Sequence, residues 1–185
     1  VDIERSEIVM ADSKKIAFLV AKEGIERVEL TEPWQAVSDA GHQPVLLSPE
    51  SGEVQTFDHL TAADKKPVDQ PVGDASVDDF AALVLPGGVA NPDALRLDSG
   101  AVGFVKSFVQ SGKPVAAICH APWTLIEADV VRGRTVTSWP SLQTDLRNAG
   151  ANWVDETVVT DGNLITSRKP DDLAAFTKTL LEAVG

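Results

Sequence analysis

Short apolar runs alternate along the chain with amphipathic stretches, and this alternation restricts the fold more than any other feature of the sequence. Lys15–Ala21 (KIAFLVA), Pro44–Leu47 (PVLL), Phe80–Leu85 (FAALVL) and Pro114–Ile118 (PVAAI) carry almost no polar residues. Such runs read as strands buried on both faces. Between them, Glu29–Ala40 places Leu30, Trp34, Val37 and Ala40 close to one helical stripe, stopped by Gly41. Ser99 caps a second expected helix to Ser111, with Phe104, Val105, Phe108 and Val109 on one face and Gly112 as its stop. Further helices are predicted over His120–Ala128, Ser141–Ala149 and Asp171–Val184, and a strand over Thr135–Ser138. Val154–Thr160 and Asn163–Ser167 flank Asp161-Gly162, a two-residue hairpin signal. Residues 50–76 are polar, with Glu53–Phe57 as a small edge strand.

Strands alternating with helices predict an α/β fold, a mostly parallel sheet with helices on both faces. Function in such sheets collects at the carboxyl ends of the strands. Three loops are expected to meet there: Lys22–Glu29, Pro86–Asp93 and Cys119–Trp123.

Charge narrows the partners. The chain of 185 residues carries 28 acidic and 16 basic residues, a net charge of −12. An acidic surface repels phosphates, so nucleic acid and anionic membranes are poor partners. No apolar run approaches the roughly 20 residues of a membrane span. A single cysteine forms no internal disulfide, which points to the cytoplasm. Val1 precedes the only methionine, Met10. Met10 is read as the natural start, residues 1–9 as an appended leader or disordered tail, and 10–185 as one domain.

That one cysteine, Cys119, is the first candidate for chemistry. A lone cysteine is ordinarily a small buried hydrophobe. Here the segment Ala117-Ile118-Cys119-His120-Ala121 sits between an apolar strand and a helix start, with small residues flanking the sulfur by two positions. This is the layout of a nucleophile elbow, a sharp strained turn that pushes its side chain into a cleft. A helix N-terminus beside the sulfur favours thiolate, the nucleophilic form and the form that peroxide oxidises.

His120 is positioned to act as a general base if its ring reaches the sulfur or a substrate. Glu26 and Glu29 lie three apart at a helix start, where acids also simply favour the first turn. Glu29 is the stronger functional candidate. A carboxyl desolvated beside a thiolate has a raised pKa and keeps its proton for donation. Gly87 and Gly88 end a strand and let backbone approach the cleft closely, with N–H groups there able to hold an oxyanion. Asp93 alone reads as an early-helix acid, and His42 and His59 receive no role. There is no G-x-G-x-x-G, Walker loop or H-E-x-x-H. Three separated histidines and one cysteine suggest no metal site and no cofactor.

These residues together make the sequence similar to the ThiJ/PfpI family. The likeness runs from Lys15 to the C-terminus and is carried by AKEGIERVE (Ala21–Glu29), ALVLPGG (Ala82–Gly88), GKPVAAICHAP (Gly112–Pro122) and the tail Gly133–Arg168. The last two point to the PfpI branch. The resemblance implies a flavodoxin-like three-layer sandwich and a homo-oligomer, dimer or higher. It implies Cys119 as nucleophile, His120 as the adjacent family histidine, and Glu29 as the glutamate that hydrogen-bonds the sulfur. Asp93 matches the acidic position that a neighbouring subunit supplies in the peptidase branch, where glutamate is the better-known occupant. Trp139 stands where some relatives carry a tyrosine near the site, and Ala121 replaces a frequent glycine. The implied function is a stress-response cysteine hydrolase acting on dicarbonyls or glycated protein adducts. A cysteine peptidase is the alternative within the family, and a redox sensor or chaperone using the same cysteine is the alternative of another class.

Overall fold

The computed structural model describes residues 13–185. The expectation about residues 1–9 therefore lies outside the described residues.

A seven-stranded sheet forms the centre, in the spatial order β11-β12-β8-β7-β1-β3-β6. Its strands are β1 (Lys15–Leu19), β3 (Gln43–Ser48), β6 (Gln70–Pro71), β7 (Ala82–Leu85), β8 (Val115–Ile118), β11 (Val158–Asp161) and β12 (Leu164–Ser167). All neighbours pair in parallel except β11 and β12, the hairpin turned by Asp161-Gly162.

Successive side chains of a strand point to opposite faces, and both faces here are apolar. Ile16, Phe18, Val84 and Ile118 pack on one side with α1 (Arg27–Asp39) and α6 (Leu173–Val184), through Leu30, Val37, Phe176 and Leu180. Leu19, Leu83, Leu85 and Val115 pack on the other with α3 (Ser99–Gln110) and α4 (Pro122–Glu127), through Phe104, Phe108 and Leu125. Burial on both faces is what the unbroken apolar runs predicted. The fold is a mixed α/β sandwich with helices flanking a mostly parallel sheet. Among the described residues, no helix is long and apolar enough to cross a membrane.

Within the polar stretch 50–76 the expected edge strand at Glu53–Phe57 is present, and the chain around it is more ordered than its composition implies. β4 (Glu53–Asp58) and β5 (Thr61–Pro67) form an antiparallel hairpin, and β2 (Glu23–Glu26) joins β4 in parallel to make a second, three-stranded sheet. β5 is mostly exposed, so periodicity carried little signal there. The helix expected from His120 starts at Pro122 instead, because His120 and Ala121 belong to the turn. The strand expected over Thr135–Ser138 shrinks to β9 (Thr135–Val136), which pairs with β10 (Asn152–Trp153) outside the main sheet. α2 (Ala90–Leu95) follows β7, and α5 (Gln143–Asn148) precedes β10.

Candidate active site

The strand order reverses between β1 and β7, so a crevice opens at their carboxyl ends. Loops following β1, β7 and β8 meet there, as the sequence predicts. β8 ends at Ile118 and the chain turns abruptly at Cys119, whose φ is +65°. The left-handed region costs a non-glycine residue about 1–2 kcal/mol. Three backbone bonds hold the turn: Cys119 N–H donates to Ser167 O at 3.0 Å, Trp139 N–H to Cys119 O at 2.9 Å, and Ala121 N–H to Ile118 O at 3.1 Å. The expected elbow is therefore present. Ala121, in place of a glycine, buries its methyl in the core.

Glu29 lies in the first turn of α1 and is 0% exposed. Gly87 N–H donates to its Oε1 at 3.1 Å. Oε2 has no hydrogen-bond partner, and the carboxyl lies beside the sulfur of Cys119. Burial, followed by the nearby charge of Glu26, pushes the Glu29 pKa up to about 8. The carboxyl is thus mostly protonated at neutral pH.

The sulfur itself departs from the expectation of a favoured thiolate. Cys119 is 7% exposed, and burial, then the charge of Glu29, push its thiol well above the ordinary range. The N–H groups of Gly88 and His120 pull the other way and do not prevail. α4 begins beyond the turn and is too short to add a substantial dipole. Carboxyl and thiol form a coupled pair. While Glu29 holds its proton, its charge no longer opposes ionisation of the sulfur.

His120 Nδ1 lies 3.1 Å from Cys119 Sγ. Burial lowers the pKa of the ring, which is neutral at neutral pH. Trp139 stacks on it, with centroids 5.7 Å apart and planes at 22°, and Trp123 meets it edge-on at 5.2 Å.

Cys119, His120 and Glu29 open onto a cavity of about 620 Å³. Its walls include Glu26, Gly88, Val89 and Trp139, together with the β4–β5 tip at Phe57, His59 and Leu60. Among the described residues, neither lysine nor arginine lines it. Gly87 sits behind the wall: a Cβ there would lie 2.7 Å from Cys119 Cβ and would collide with Glu29 Oε1. Asp93 is the exception among the predicted site residues. It is exposed on α2 and lies outside the cavity, so no acid of this chain meets His120 through it. No group of three or more His, Cys, Asp and Glu side chains among the described residues is placed to hold a metal.

Two contributors had no sequence signal. His59, given no role, lines the cavity, and its backbone N–H donates to both Glu26 carboxylate oxygens, at 3.2 and 3.4 Å. Leu60 is 97% exposed beside it. Both depend on a hairpin of which local pattern revealed only the first strand. His42 is remote, its Nδ1 accepting from Lys14 N–H.

A sequence profile of the DJ-1/PfpI family matches residues 14–183. The chain belongs to the DJ-1/PfpI family. Relatives within DJ-1/PfpI reach across nearly its whole length. YraA of Bacillus subtilis (strain 168), a candidate cysteine protease by name, is 43% identical over 91% of this chain and 97% of its own. Protein/nucleic acid deglycase 2 of Escherichia coli (strain K12) is 42% identical over 94% and 99%. Among DJ-1/PfpI structures, Drosophila melanogaster DJ-1beta superposes with a TM-score of 0.83 at 31% identity, covering 94% of this chain and 91% of that one.

Proposed function

We propose that this protein is a cysteine-dependent hydrolase that acts on small dicarbonyls or on their early adducts with protein side chains. One observation carries the reading: a strained cysteine at a cavity floor, with a neutral imidazole 3.1 Å from its sulfur and a buried, protonated carboxyl beside it. The deglycase name of a relative 42% identical to the chain supports it.

The chemistry follows from the donors and acceptors present. Cys119 transfers its proton to His120 Nδ1 as the sulfur attacks the aldehyde carbon of a 2-oxoaldehyde. The carbonyl oxygen takes the proton of Glu29, giving a neutral hemithioacetal. The Gly88 and His120 N–H groups stabilise the developing charge. Glu29, now a carboxylate, removes the proton on the former aldehyde carbon and returns it to the adjacent carbon, while the hydroxyl proton passes to the neighbouring oxygen. The result is a 2-hydroxy thioester. Water, deprotonated by the Glu29 carboxylate, attacks the thioester carbon, and His120 returns its proton to the departing sulfur, which releases the 2-hydroxy acid and restores both the thiol and the protonated Glu29. The net reaction adds one water to the dicarbonyl. The cavity walls suit such a substrate, being largely apolar with no cation to attract an anion.

Methylglyoxal consumption by wild type and Cys119→Ala tests the reading. Loss of at least a hundredfold in kcat/KM is expected. A variant that consumes methylglyoxal at the wild-type rate ends it.

The peptidase reading draws on the name of the Bacillus relative and on the exposure of Asp93, which leaves that acid free to meet His120 of another copy. It requires an oligomer and cleavage of short fluorogenic peptides. A strict monomer that cleaves none excludes it.

A further inference from the structure

Asn91 is 1% exposed and does not line the cavity, yet its three amide hydrogen bonds all go to the loops that build it. Its Oδ1 accepts from Ala21 N–H at 2.7 Å, where the chain leaves β1 towards Glu26 and Glu29. Its Nδ2 donates to Pro86 O and to Gly87 O, each at 3.0 Å. These carbonyls belong to two consecutive peptide groups, whose N–H ends are those of Gly87 and Gly88. A trans peptide is planar, with its C=O and N–H pointing in opposite directions. Holding each oxygen therefore turns each N–H to the far side. There the Gly87 N–H meets Glu29 Oε1 at 3.1 Å, and the Gly88 N–H faces the Glu29 carboxyl and the Cys119 sulfur.

The two planes need such a clamp. Glycine leaves the backbone free to rotate, and Gly88 adopts φ +85°. A side chain at either glycine would stiffen the turn but has no room. At Gly88 a Cβ would lie 2.8 Å from Glu26 N and would collide with Gly24 O. The restraint must come from outside the turn. Glu26 N–H adds a longer bond to Gly87 O at 3.3 Å, and among the described residues Asn91 alone donates a side-chain or loop hydrogen bond to Pro86 O.

We infer that Asn91 is a positioning residue, setting the two peptide planes that aim N–H groups at Glu29 and Cys119. It deepens the hydrolase reading, because its weight in catalysis rests on Cys119 being the nucleophile. Those N–H groups favour the charged forms of both side chains, so loss of the clamp makes the thiol harder to ionise.

Cys119 is the only cysteine, so alkylation by iodoacetamide reports on one sulfur. The test compares its rate across pH in wild type, Asn91→Leu and Leu95→Ala. Leu95 is a core residue of the same helix and serves as a control for general destabilisation. For Asn91→Leu the curve is expected to move about one unit to higher pH, roughly a tenfold slower reaction at fixed pH. Methylglyoxal kcat should fall with it while KM stays within twofold. Leu95→Ala should lower Tm and leave the curve in place. An Asn91→Leu curve that overlays wild type, or an equal displacement by Leu95→Ala, overturns the inference. If Asn91→Leu does not fold, Asn91→Ser, too short to span both carbonyls, enters the same assay with the same outcomes. Turnover retained by Cys119→Ala would sink the hydrolase reading and leave the alkylation result standing, so the two failures are distinct.

Discussion

Glu29 is a carboxyl whose burial is tolerated only because it stays protonated. Its pKa is near 8 in the folded chain against an ordinary value of 4.5. The folded state therefore binds the proton more tightly than the unfolded chain. Its contribution is fully present below pH 4.5 and is lost as pH rises through about 8. Wild type should lose a few kcal/mol at most across this window, and Glu29→Gln should flatten much of the decline. Urea unfolding at a series of pH values checks this; equal slopes in the two proteins would contradict it. Gly87 is equally constrained. A methyl there meets Cys119 Cβ, Ile118 O and Glu29 at once. Gly87→Ala should cost about 1–3 kcal/mol through overpacking, and lower kcat by displacing the carboxyl from the sulfur. Denaturant midpoints and methylglyoxal kinetics measure the two effects.

At the scale of elements, those that position the site differ from those that merely stabilise the sheet. α3 belongs to the second group. Asp98 Oδ1 caps it by accepting from Ala101 N–H at 2.8 Å. Asp98→Ala should cost about 1 kcal/mol by denaturant unfolding and leave turnover unchanged. The β4–β5 hairpin belongs to the first. Arg27 donates to both Asp58 oxygens, at 2.8 and 3.0 Å, and the Glu26 carboxylate accepts the His59 N–H. The ion pair is exposed and adds about 0–1 kcal/mol. Its consequence is the placement of Phe57, His59 and Leu60 over the cavity. Strands buried on both faces were legible from their apolar runs. Of this hairpin only the first strand was, because the second, β5, buries too little to leave a pattern.

The whole molecule brings the elbow together from distant segments. Ser167 O at the end of β12 takes the Cys119 N–H, and the next residue anchors that corner. The Arg168 guanidinium donates to Asp172 at 2.9 and 3.0 Å and to Asp155 at 2.8 Å. Asp172 is buried. Arg168→Ala strands its carboxylate without a cation and should cost about 3–5 kcal/mol. A loss under about 1 kcal/mol in chemical denaturation would show that water replaces the arginine.

The sequence by itself determined the layered architecture and the elbow at Cys119. Both arise from neighbours along the chain: apolar runs that must be buried, and small residues where a strand gives way to a turn. It also marked Glu29, Gly87 and Gly88 as belonging near the sulfur. Only the tertiary structure decided the protonation of that site and the identity of its walls. Burial and charge act through space, so the carboxyl that rises to about 8, the thiol that rises with it and the His59 that closes the rim became visible only once separate loops stood side by side.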